Sequence, residues 1–136
     1  MKKSLKTISL ILVVMCLLSM LTACVPSQPG NAKQRLDDKG YKTSIQVIKN
    51  HYYSNGEPID IGYGVGCKYI VEGEKGLDKV AIYYFEKAKY ASNYYKQCKD
   101  DASYLGVSSL YVIKKSGKKV IIATEQGYKD VNQAVS

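Results

Sequence analysis

The stretch Val80-Ala81-Ile82-Tyr83-Tyr84-Phe85, followed at once by Glu86-Lys87-Ala88-Lys89-Tyr90-Ala91-Ser92-Asn93-Tyr94-Tyr95-Lys96-Gln97-Cys98, decides the fold class. Six apolar or aromatic residues without polar alternation predict a central strand, covered on both faces or paired on both edges. The residues after it change period. Ala88, Ala91, Tyr95, Cys98, Ala102 and Leu105 recur at steps of three and four, which predicts an amphipathic helix over 86–105, closed by Gly106.

Upstream, Asn31 is the expected cap of a short helix through Lys39, with Ala32 and Leu36 on its inner side, Gly40 as its stop and Tyr41 as the contact beyond it. Residues 43–48 read as a strand. Residues 49–66 read as a long mobile loop: Ile59, Ile61, Tyr63 and Val65 alternate, but Gly62, Gly64 and Gly66 fill the other face and weaken any strand. A strand is expected over 67–74, turned back by the glycines at 73 and 76. Downstream, a strand over 110–114, a Ser116-Gly117 turn and a strand over 119–123 form a hairpin. Thr124 caps a last helix with Tyr128, Val131 and Val135 inside.

Lys79-Val80-Ala81-Ile82 is echoed forty positions later by Lys119-Val120-Ile121-Ile122, which outlines an αββ repeat. The expected fold is α+β: a two-layer sandwich of ferredoxin-like character, an antiparallel sheet with helices on one face. Residues 31–136 form one domain, since just over a hundred residues support a single core.

The first 24 residues set the location. Lys2, Lys3 and Lys6 precede an apolar run whose span from Thr7 to Leu21 is roughly 22 Å as a helix, short of the ~30 Å of a bilayer core. That is the pattern of a signal peptide, residues 1–23. Leu21-Thr22-Ala23-Cys24 resembles the lipobox of bacterial lipoproteins over all four positions. The resemblance implies diacylglycerol on the Cys24 sulfur, cleavage before it, and palmitate-type chains holding the mature protein on the outer face of the cell membrane. Two such chains at ~0.8 kcal/mol per methylene suffice for stable anchoring. Residues 24–30 then read as the lipidated cysteine and a short polar linker, reaching at most ~25 Å.

Loss of the signal lowers the formal charge from +8 to +5, because three lysines and no acid leave with it. Arg35 is the only arginine, and with the exported location this argues against nucleic acid as partner. Residues 31–130 resemble small, functionally unassigned lipoproteins of clostridial type from low-G+C Gram-positive bacteria. The likeness lies in Tyr84-Phe85-Glu86, the alanine- and tyrosine-rich helix, and Lys115-Ser116-Gly117-Lys118. It implies no activity.

Chemistry-bearing motifs are few. His51 is the sole histidine, and no metal-ligand or nucleophile motif accompanies it, so no catalytic residue, metal or cofactor is assigned. Gly62-Tyr63-Gly64-Val65-Gly66 departs from the dinucleotide fingerprint in spacing and in leading to a strand instead of a helix, and reads as backbone flexibility. Tyrosine is abundant: thirteen, against one phenylalanine. Tyr41, Tyr69, Tyr84 and Tyr95 are expected in or beside the core. Tyr52, Tyr53 and Tyr63 in the loop, with Tyr90 and Tyr94 on the long helix, are the candidate exposed binding surface. Cys67 and Cys98 are both expected to face the layer between helix and sheet. Two readings stay open for them: a disulfide staple, contributing roughly 3.5 to 4 kcal/mol in the chain-entropy model, or two buried thiols.

The leading expectation is a non-enzymatic lipoprotein that binds an envelope protein or wall polymer. The alternative is a small enzyme acting on wall polymers, with Glu57 or Asp60 as its acid.

Overall fold

A computed structural model describes residues 25–132 of the chain. The predicted signal peptide, Cys24 and Val135 lie outside the described residues. The elements run α1 (Pro29–Asp38), β1 (Lys42–Val47), β2 (Cys67–Lys75), β3 (Asp78–Phe85), α2 (Ala88–Tyr104), β4 (Val112–Ser116), β5 (Lys119–Ala123) and α3 (Glu125–Asn132). The described strands form one antiparallel sheet in the order β1-β2-β3-β5-β4. The α+β class expected from sequence is the class observed.

Helix α1 begins earlier than expected. Pro29 occupies its first turn, where a missing N–H costs nothing, and Gln28 rather than Asn31 is the capping position; the Gln28 carbonyl accepts the Asn31 and Ala32 amides at 3.1 and 3.2 Å. Ala32 and Leu36, one turn apart, are fully buried. The helix ends as read: Gly40 takes φ +89°, and the Tyr41 amide donates back to the Leu36 carbonyl at 3.0 Å. Thr124 caps α3, its hydroxyl accepting the Gly127 amide at 3.3 Å. The β4–β5 turn is Gly117-Lys118, one residue later than expected, because Ser116 pairs with Lys119.

The sheet is covered on both faces, which corrects the expected two-layer sandwich with helices on one face. Val80, Ile82 and Tyr84 of β3 join Val71, Ile121 and Ala123 beneath α1 and α3. On the opposite face, Tyr83 and Phe85 join Cys67, Ile70, Val120 and Ile122 beneath α2. The reason lies in β3 itself. Both of its alternating sets are apolar, so each face needs a helical cover.

The ferredoxin-like character is confined to one unit. β3 and β4 are each antiparallel to β5, which lies between them, so β3-α2-β4 is a split β-α-β crossover. The other half is a β1-β2-β3 meander. No αββ repeat results, since α1 precedes three strands, α2 precedes two, and the helices cover opposite faces. The sequence echo falls on β3 and β5, two central neighbours that pair Ile82 with Ile121.

The expected linker also needs correction from Val25 onward. Val25 is 6% exposed and belongs to the core under α1. Its carbonyl accepts the Lys119 ammonium at 3.1 Å, and the Pro26 carbonyl accepts the Tyr84 hydroxyl at 2.8 Å. A single apolar side chain and two carbonyls suffice to fold this segment onto the sheet.

Candidate functional site

Residues 49–66 form no strand but are fastened across the N-terminal half of α2. Pro58 lies opposite Tyr52 in an isolated bridge, and the Ile59 amide donates to the His51 carbonyl at 2.7 Å. Asn50 ties the loop base to the Cys67 carbonyl at 2.7 Å. Further out, the Tyr90 hydroxyl donates to Glu57 at 2.9 Å, Lys89 pairs with the same carboxylate at 3.5 Å, and the Tyr52 hydroxyl donates to Glu86.

Two glycines of this loop, Gly64 and Gly66, serve close contact with α2 and the end of β3, beyond the flexibility expected of them. A Cβ at Gly64 would stand 3.0 Å from the rings of Phe85 and Tyr94, and Gly66 lies flat against Tyr90. Only a backbone without side chains can approach α2 this closely.

Between residues 60–65 and α2 lies an open cleft of about 360 Å³, lined by Asp60, Tyr63, Tyr83, Tyr94, Gln97 and Asp101, with Cys98 at its wall. A smaller hollow of about 220 Å³ adjoins it, formed by Val65, Tyr90, Asn93, Tyr94 and Gln97. The Tyr83 and Tyr94 rings meet at 4.8 Å between centroids, tilted by 51°. Burial and the Tyr83 hydroxyl raise the Tyr94 pKa well above its ordinary value, and burial raises that of Tyr83. Both hydroxyls therefore stay protonated at neutral pH, where they are hydrogen-bonded to each other. Tyr63 is 43% exposed at the mouth, its hydroxyl accepting the Gln46 amide at 2.9 Å.

The structure divides the predicted tyrosine surface. Tyr52, Tyr53 and Tyr63 are exposed as expected. Tyr90 and Tyr94 are not, and their assignment to an exposed surface is corrected: Tyr90 is 7% exposed, and Tyr94 is partly buried, packed on Phe85 and Tyr83 against the core of the α2 face. The loop covers them. Tyr41 and Tyr84 are core residues with anchored hydroxyls, Tyr41 donating to Asp130 at 2.6 Å.

Glu57 and Asp60 are held by separate partners. The Tyr90 hydroxyl, with Lys89 beside it, lowers the Glu57 pKa, the opposite of what a general acid needs. Asp60 accepts the Gly62 amide at 3.0 Å in a local turn. Cys67 and Cys98 both lie on the α2 side of the sheet and are free thiols. Among the described residues there is no cluster of three or more metal-ligating side chains.

Gln97 and Asp101 were not singled out by sequence, although with Tyr94 and Cys98 they fall on one helical stripe at steps of three and four. A hollow of about 400 Å³ near the Lys42–Glu74 end of the sheet mixes Lys42, Lys79, Glu72 and Glu74 without an aromatic ring. It offers no comparable constellation. No protein-family model, curated protein or solved structure matches this chain.

Proposed function

We propose that this chain is a lipid-anchored, non-enzymatic binding module on the outer face of the cell membrane, and that it takes an envelope component into the cleft between residues 60–65 and α2. The observation that carries the reading is the convergence there of an exposed ring, Tyr63, with the hydrogen-bonding groups of Asp60, Gln97 and Asp101. A flat ring flanked by acceptors and an amide suits a hydroxyl-rich ligand, so a wall glycan fits better than an apolar peptide. The engaged, acidified Glu57 supports binding over hydrolysis. Among the described residues no helix is long and apolar enough to cross a membrane, which is compatible with a lipid anchor at Cys24.

The test is co-sedimentation of the protein with purified cell-wall material. Tyr63→Ala and Gln97→Ala should each release it at unchanged melting temperature. Retention by both variants would overturn the cleft as the binding site, and release of a reducing sugar end by the wild type would overturn the non-enzymatic reading.

A further inference from the structure

We infer that the end of the sheet where Val25 enters stands on the bilayer and docks anionic phospholipid headgroups through Lys68, Lys118 and Lys119. The inference rests on the lipid anchor at Cys24. It adds an orientation and a second, electrostatic attachment.

The geometry starts from the buried Val25. Cys24 is the next residue, and neighbouring α-carbons are ~3.8 Å apart, so the diacylglycerol is bonded one residue from the core. A free linker over 24–30 would let the domain swing; here the Val25 and Pro26 carbonyls are tied to Lys119 and Tyr84. Register then determines what surrounds the anchor. Tyr84 of β3 lies opposite Tyr69 of β2 on one side and Lys119 of β5 on the other. The start of β2, the end of β3 and the β4–β5 turn therefore gather at one place, beside the N-terminus of α1.

A cleft of about 370 Å³ opens there, lined among others by Ser27, Lys68, Glu86, Lys118 and Lys119. Three lysines face one glutamate, and Glu86 already accepts the Tyr52 hydroxyl. Its net charge is positive at the point where the lipid emerges. A lysine within a Debye length, ~8 Å, of an anionic bilayer contributes about fivefold in binding. Phosphate-bearing wall polymers offer similar chemistry, but the position one residue from the anchor favours the headgroups.

The test uses the full lipidated protein in vesicles of phosphatidylcholine alone and of phosphatidylcholine with about one third phosphatidylglycerol, followed by lysine acylation and peptide mass mapping. Lys68 and Lys118 should react about fivefold more slowly in the anionic vesicles, while Lys42 and Lys75 at the far end keep their rates. The double variant Lys68→Glu, Lys118→Glu should lose the difference between the two lipids in the positioning of the remaining lysines. Equal rates at both ends, with a diacylglyceryl N-terminal peptide present, overturn the docking and leave the anchor standing. An unlipidated Cys24 overturns both. Equal protection in phosphatidylcholine vesicles by added poly(glycerol phosphate) would reassign the cleft to a wall polymer.

Discussion

A Cβ placed on Gly66 would stand 2.4 Å from Cδ2 of Tyr90, so the loop backbone rests directly on the ring that heads α2. Gly66 also holds φ +77°, and its carbonyl accepts the Glu86 amide at 2.9 Å. One residue thus joins the loop, the end of β3 and the start of the long helix.

Gly66→Ala combines backbone strain with a clash against a buried ring, and should cost roughly 2 to 4 kcal/mol. Gly62→Ala is the control. Gly62 has φ +93° with nothing within 4 Å of a Cβ, so its substitution should cost only about 1 to 2 kcal/mol. Urea unfolding of both variants separates strain from packing, and equal losses would mean that the ring moves aside.

The sequence made β3 and α2 legible because their periods are unambiguous, and it made the capping glycine at 40 and the Thr124 cap legible because those signals are local. It did not disclose which face each helix covers. The uninterrupted run over 80–85 fits cover on both faces or pairing on both edges, and local pattern does not choose between them, since strand order is absent from it. The loop over 49–66 is legible as a loop, but the role of Gly64 and Gly66 in it is not, for a related reason. Gly66 and Tyr90 are 24 positions apart, and a glycine needed for close approach looks the same in sequence as one needed for flexibility. The placing of Tyr90 and Tyr94 follows from that: without a loop above them they belong on the surface. In the cleft, Tyr63 was visible as an exposed aromatic, whereas Gln97 and Asp101 gain meaning only from the loop across from them.

Leu36→Ala should remove about 2 to 5 kcal/mol, because Leu36 is fully buried and its Cδ1 lies against the backbone of Gly73 beneath α1. Leu77→Ala, at a turn where the side chain is 94% exposed, should change stability by less than about 0.5 kcal/mol. Chemical denaturation of the pair tests whether α1 is part of the cooperative core. A loss below about 1 kcal/mol for Leu36→Ala would place α1 outside it.

Tyr90→Phe should weaken stability in a pH-dependent way. The Tyr90 hydrogen bond and the Lys89 charge lower the Glu57 pKa in the folded state. A lowered carboxylate pKa gives stability that is present above the unfolded value, about 4.3, and lost as pH falls through the folded value. The wild type should therefore exceed Tyr90→Phe at pH 7, and the gap should narrow as the pH drops below that of an ordinary glutamate. In the variant, the Glu57 carboxylate should titrate closer to the ordinary value by NMR. A gap that stays constant down to pH 2 would assign the effect to packing of the ring.

Cys67 and Cys98 should alkylate slowly and unequally in the native protein. Cys67 has no exposure, and burial pushes its pKa up to about 11. Against an ordinary thiol near 8.5, its thiolate fraction at pH 8 falls from about a quarter to about 0.1%. Burial raises the Cys98 pKa as well, but that residue is only half-buried at the wall of the cleft, so it should react before Cys67 and be slowed by any ligand bound there. Each sulfur already has a partner: Cys67 donates to the Tyr69 carbonyl at 3.5 Å, and Cys98 meets the Tyr94 hydroxyl. A bridge would have to give up both contacts within a packed layer. Unfolding without reductant in the presence of iodoacetamide should therefore yield both Cys67 and Cys98 alkylated, and of the two only Cys98 should be modified at short times before unfolding. A cross-linked peptide pair containing 67 and 98 would instead restore the disulfide staple.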